Sequence, residues 1–156
     1  MIKPYKISVP KSTLNNIYKK VRSYPWKMMQ NVNGWEYGTN YNFLKKISQY
    51  WVSKYNWKKF ENKINSFKNY KTNVDGINLH FIIEKSKNPK SRPLLLLHGW
   101  PGSVIEFFDI IPRLAHPEKF GGKIEDGFDV IVPSLPGFGF STPIKKALGP
   151  RKIGKI

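Results

Sequence analysis

Four consecutive leucines at 94–97 run into His98-Gly99-Trp100-Pro101-Gly102-Ser103. An unbroken apolar run of that kind reads as a strand buried on both faces. Ser103, with Glu106 three positions on, reads as the capping box of a helix over 104–114. A turn between such a strand and such a helix leaves backbone N–H groups pointing outward at the carboxyl edge of a sheet, where ligands of open α/β sheets sit. Gly99 permits close backbone approach, and Pro101 fixes its own φ while restricting Trp100 before it. The chemistry implied is electrostatic: a rigid Trp100 amide without a ladder partner is what a preorganised oxyanion donor requires. The same turn makes Trp100–Pro101 a candidate cis bond. His98 reads first as a histidine bonding nearby backbone and only second as a base. Taken alone, residues 99–102 also fit an ordinary strand-to-helix turn.

A second irregular stretch, Pro-Ser-Leu-Pro-Gly-Phe-Gly-Phe-Ser at 133–141, follows another apolar run at 128–132. Neither stretch contains a carboxylate. The aspartates fall elsewhere: Asp75 in a hairpin turn, Asp109 on a helix, Asp126 and Asp129 beside a strand start. The chain has no cysteine and three histidines. That removes disulfides, thiolate nucleophiles and cysteine zinc sites, and makes a histidine metal site improbable. No metal and no cofactor are expected.

The elements that must position these turns follow from period. Leu14, Ile17, Tyr18 and Val21 form a helical stripe after a cap at Ser12 or a neighbour, ending before Pro25. Residues 26–40 are irregular, with Gly34, Gly38 and asparagines at 31, 33 and 40. Phe43, Leu44, Ile47, Tyr50 and Trp51 form one face of a helix over 41–55. Trp57, Phe60, Ile64 and Phe67 do the same over 57 to about 70. Their helical spacing favours core packing over a base-stacking platform. The period then becomes two on either side of Asp75-Gly76, predicting a hairpin of 70–74 with 77–83. Residues 115–127 form a glycine-rich connection. The order helices, hairpin, strand, helix, strand predicts an α/β fold, with a helical N-terminal segment packed on the first strands of a sheet.

Twenty-seven Lys and Arg against ten Asp and Glu give a formal net charge of +17. The excess lies before residue 91, with 18 basic and 4 acidic side chains. A nucleic-acid partner is one reading. However, 23 of the basic residues are Lys and only 4 Arg, beside 13 Asn, 16 Ile and 2 Ala. That is the pattern of AT-rich codons, and Arg is the residue that reads phosphate and guanine bidentately. Dispersed lysines predict weak, salt-sensitive binding and no specific nucleic-acid partner. No window reaches the ~18 apolar residues of a membrane span, and the start lacks the apolar stretch of a secretory signal, which predicts a soluble, cytoplasmic chain. No amphipathic apolar face reads as free for membrane insertion.

The two turns together resemble the α/β-hydrolase fold, and within it the microsomal-type epoxide hydrolases. The resemblance extends upstream through Gly-Trp-Glu-Tyr-Gly-Thr-Asn at 34–40, Tyr50-Trp51, Tyr55-Asn56-Trp57, Phe60-Glu61 and Asn65-Ser66-Phe67. It implies a family-type N-terminal helical region over 1–69 and the start of a hydrolase domain over 70–156. It implies a small apolar epoxide and water as substrates, attack by an Asp to give an ester, and cleavage of that ester by a His-activated water. The only roles that carry over are those of Trp100, as amide donor and pocket wall, and of His98, Gly99 and Pro101, which shape the turn. Asn56 departs from the Asp that the family pattern favours. The Gly-Gly-Asp-Trp-like nucleophile elbow is absent, as are the partner histidine, its acid and the lid tyrosines. The last residues, 149–156, look like the opening turns of the family's next helix. The chain therefore reads as the N-terminal part of a longer enzyme and is expected to be inactive alone, with the missing C-terminal half as its candidate partner. The rival readings are a catalytically dead interaction module and a basic nucleic-acid-associated protein.

Overall fold

A computed structural model describes residues 1–156 except 31–33, 146 and 156. Asn31, Asn33 and Ile156, named in the readings above, lie outside the described residues. The elements are β1 (Lys3–Pro4), α1 (Lys11–Arg22), α2 (Tyr41–Ser53), α3 (Trp57–Asn65), β2 (Asn69–Val74), β3 (Ile77–Glu84), β4 (Pro93–Leu95), α4 (Ile111–Ala115), β5 (Asp129–Pro133) and α5 (Pro150–Ile153), with short 3₁₀ turns between. They fall into two compact units, one of Met1–Ile7 with Asn62–Ile156 and the other of Ser8–Glu61. The fold class is α/β, as expected. No helix among the described residues is long and apolar enough to cross a membrane.

The strand-bearing unit holds a five-stranded mixed sheet in the order β1-β2-β3-β5-β4. The β2–β3 hairpin closes at Asp75 (φ 50°) and Gly76 (φ 79°), the left-handed pair that a tight two-residue turn needs. In register, Tyr70 faces Phe81 and Val74 faces Ile77. β5 lies antiparallel to β3 and parallel to β4. Ile82, Val130 and Val132 in the middle of the sheet, with Val104, Phe108, Ile111 and Ala115 packed beside them, are buried.

Four expectations need correction. The run at 94–97 is not buried on both faces: β4 is the sheet's edge strand, and Leu95 and Leu97 are 56% and 55% exposed. The helix over 104–114 is broken into a 3₁₀ turn (Val104–Phe107) and the five-residue α4. Pro112 is the reason, because a proline ring clashes with the carbonyl four residues back and can sit only in a helix's first turn. Ser12 caps nothing: α1 starts at Lys11 after Pro10, with no side-chain cap. α3 stops at Asn65, because the Asn69 side chain donates to the Ile64 and Phe67 carbonyls (2.9 and 2.8 Å) and turns the chain into β2.

The helical unit contradicts one more. α1 and α2 bury no residue, and the aromatic face of α2, read as core, stays largely open at Phe43, Ile47, Tyr50 and Trp51. These four side chains are 43–53% exposed.

Candidate active site

β4 delivers the chain to the first turn, and Leu96 N–H continues the parallel pairing by donating to the Ile131 carbonyl at 2.9 Å. The pairing then stops. His98 is buried and uses both ring nitrogens: Leu135 N–H donates to Nε2 at 3.0 Å, and Nδ1 lies 3.0 Å from the Gly99 carbonyl. Since Nε2 accepts, Nδ1 carries the proton and donates to that carbonyl. The imidazole thus ties the first turn to the start of the second, with Phe138 edge-on to its ring at 5.4 Å. Neither nitrogen is left to act as a base.

Beyond His98 the backbone opens. Trp100–Pro101 is cis. Trp100 N–H has no acceptor among the described residues, and the indole is 83% exposed. A β-carbon at Gly99 would meet nothing within 4 Å, so the space beside it is free. Gly102 is different, and the sequence reading missed it. A β-carbon there would collide with Glu106 Oε1 and lie 2.7 Å from the Gly99 carbonyl oxygen. Any side chain would displace the carboxylate that accepts from Ser103 N–H at 3.1 Å, while Ser103 Oγ accepts from Ile105 N–H. The capping box read from sequence is present.

The second turn is held by a buried polar cluster that sequence reasoning also missed. His80 Nε2–H donates to Asn69 Oδ1 (3.0 Å), and Ser134 Oγ lies 2.8 Å from Nδ1, which is left as the acceptor. Ser141 Oγ accepts from His80 N–H (2.8 Å) and donates to the Ser134 carbonyl (2.7 Å). Ser134 and Ser141 bracket the Leu-Pro-Gly-Phe-Gly-Phe loop, so His80 in β3 fixes both of its ends, one through its ring and the other through its backbone N–H. Tyr5 and Phe140 close edge-on over the ring. Burial, and secondarily the Lys71 ammonium, push the imidazole down to a pKa of about 4. The only available signal was His80's place in the apolar alternation of β3.

The aspartates stay apart from this edge. Asp75 is in the hairpin turn, Asp109 pairs with Lys63 at 3.6 Å, and Asp129 is held by Lys85 (2.6 Å) and Ser86 N–H (3.0 Å). The Lys85 bond, followed by the Ser86 and Ser91 hydrogen bonds, holds the Asp129 carboxyl below its ordinary value. Among the described residues no group of three or more His, Asp and Glu could hold a metal. The arrangement can donate hydrogen bonds to a developing negative charge.

The family profile described as epoxide hydrolase N terminus matches residues 2–107, and that of the alpha/beta hydrolase fold matches 92–149. A protein of Stigmatella aurantiaca assigned as an epoxide hydrolase is 43% identical over 155 residues, which is 99% of this chain and 35% of that one. Epoxide hydrolase 1 of Oryctolagus cuniculus is 37% identical over 93% of this chain and 33% of its own. The crystal structure of juvenile hormone epoxide hydrolase from Bombyx mori superposes with a TM-score of 0.83 at 31% identity, covering 98% of this chain and 37% of that one. The chain spans about a third of the length of the relatives it matches.

Proposed function

This chain belongs to the epoxide hydrolase family, and we propose that it supplies the amide side of an epoxide hydrolase site while a further length of polypeptide supplies the attacking carboxylate. The observation that carries this reading is the unpaired Trp100 N–H beside the open space at Gly99, on a turn that His98 clamps to Leu135. In a two-step hydrolysis an Asp carboxylate attacks an epoxide carbon, the ring oxygen leaves and is protonated, and an enzyme ester results. A water activated by a base then adds to the ester carbonyl, and the diol leaves as the carboxylate is regenerated. The second step builds negative charge on the carbonyl oxygen, and a fixed N–H aimed at that oxygen lowers its barrier. Trp100 is the donor, and its exposed indole is a wall for a small apolar epoxide. His98, Gly99 and Pro101 hold the turn, and Gly102 with Glu106 supports it from behind.

The test is a fusion of residues 1–156 to the part of the Stigmatella aurantiaca relative that follows its matching region. The fusion is expected to convert styrene oxide to its diol. Replacing the Trp100 amide by an ester, with the indole kept, removes only the N–H. It is expected to lower kcat by about 10²–10³ with little change in KM. An unchanged kcat removes Trp100 from the oxyanion site.

A further inference from the structure

The two turns are joined through peptide units as well as through side chains. Ser141 is 1% exposed, and its Oγ accepts from His80 N–H at 2.8 Å and donates to the Ser134 carbonyl at 2.7 Å. That carbonyl belongs to the same peptide unit as Leu135 N–H, which donates to His98 Nε2 at 3.0 Å. His98 Nδ1–H in turn donates to the Gly99 carbonyl at 3.0 Å, and that carbonyl shares its peptide unit with Trp100 N–H. Four hydrogen bonds therefore run in one line from β3 to Trp100, through a hydroxyl, a peptide, an imidazole and a second peptide.

The direction of every link is fixed. A backbone N–H only donates, so Ser141 Oγ must accept from His80 and has its one proton left for Ser134. Likewise Leu135 N–H makes Nε2 the acceptor and puts the imidazole proton on Nδ1. The C=O and N–H of a trans peptide point to opposite sides of the chain. Among the described residues the cis bonds are Trp100–Pro101 and Thr142–Pro143, so both peptides in the line are trans. Holding the Gly99 carbonyl on buried His98 thus turns Trp100 N–H the other way. Each donor in such a chain polarises the next, by roughly 10–30% per bond, and a low local dielectric strengthens them all. His98 and Ser134 are buried, as Ser141 is. The Ser134 hydroxyl lies off the line, since it bonds His80 Nδ1 instead.

We propose that Ser141 is a positioning residue for epoxide hydrolysis, acting through this relay to aim Trp100 N–H and strengthen it as a donor without touching the substrate. The proposal rests on the reading of Trp100 as the oxyanion donor.

Heteronuclear NMR of the 156-residue chain tests the relay with no catalysis involved. A scalar coupling across the Leu135 N–H to His98 Nε2 hydrogen bond is expected, with the imidazole proton on Nδ1. Ser141→Ala, with circular dichroism retained, should move the Trp100 amide nitrogen and the Gly99 carbonyl carbon upfield. Ser134→Ala removes a hydroxyl from the same buried cluster without breaking a link, and should move both resonances far less. In the fusion described above, Ser141→Ala should lower kcat about threefold to tenfold at unchanged KM, a part of what losing a whole donor costs. An absent coupling in the parent chain would overturn the relay, so a poorly folding Ser141→Ala leaves the proposal testable. Equal movement of the Trp100 nitrogen in the two alanine variants would make Ser141 structural only and overturn it as well. A Trp100 ester without effect on kcat removes the reading beneath the proposal. An ester that slows the fusion, beside a Ser141→Ala that does not, overturns the proposal alone.

Discussion

The strand-bearing unit contains every buried apolar side chain among the described residues, from Ile7 and Ile64 to Val130 and Val132. Among the described residues the helical unit contains none, and the one side chain buried there is that of Glu61. Each unit also has a buried titratable group, and the two are managed in opposite ways. His80 is neutral, and its bonds to Asn69 and Ser134 require that it stay so. Glu61 is ionised, and Lys58, Val9 N–H at 2.7 Å and Trp57 Nε1–H at 2.9 Å hold it down to a pKa of about 2, the Lys58 bond being the largest contributor. A unit with a dry core can afford a neutral imidazole between uncharged partners. A unit without one is fastened by charge-assisted hydrogen bonds and leaves its apolar surface open.

The largest expected difference comes from deleting methyl groups. Ile82→Ala, at a position with no exposure, should cost about 2–5 kcal/mol in urea denaturation. Ile47→Ala, at 47% exposure, should cost well under about 1 kcal/mol. Equal losses would mean that the α2 face is as buried as the sheet and would remove the contrast between the units.

Acid should separate the two ties. His80 has a folded pKa below its unfolded value near 6.5, so between those values the unfolded state binds the extra proton. Stability is therefore full above about pH 6.5 and falls as pH drops toward 4, by about 3 kcal/mol in all. His80→Leu should abolish that slope. Glu61 also loses its contribution on acidification, but lower down, from about pH 4.5 to 2, because its folded pKa lies below that of the unfolded carboxyl. A smaller effect is expected for Glu61→Gln at neutral pH, about 1–2 kcal/mol, since the amide oxygen can still accept from Val9 while the charge facing Lys58 is gone. Melts across pH 2–8 of the parent and both variants check all of this.

These contrasts also mark what was legible in the sequence. Period and turn chemistry located the hairpin at Asp75-Gly76, both central strands and the Ser103 capping box, because each is decided within a few residues. Burial was not legible. Leu95 and Leu97 read as core, and so did Phe43, Ile47 and Trp51, because an apolar period says which face is apolar and not whether anything covers it. The position of Trp100 at a turn was evident from Leu94 through Pro101. The clamps behind the two turns were not, since His98 with Leu135, His80 with Ser134 and Ser141, and Gly102 with Glu106 are set by tertiary distances.

The central claim is that this chain carries donors for an epoxide hydrolase site and no nucleophile. Purified chain, monodisperse by gel filtration, should be incubated with styrene oxide and the diol quantified against a buffer blank. No diol above the blank is expected, because backbone amides cannot open an epoxide without an attacking carboxylate and a base within reach. Diol formation that scales with chain concentration would contradict the account and show that one of Asp75, Asp109, Asp126 or Asp129 does chemistry here.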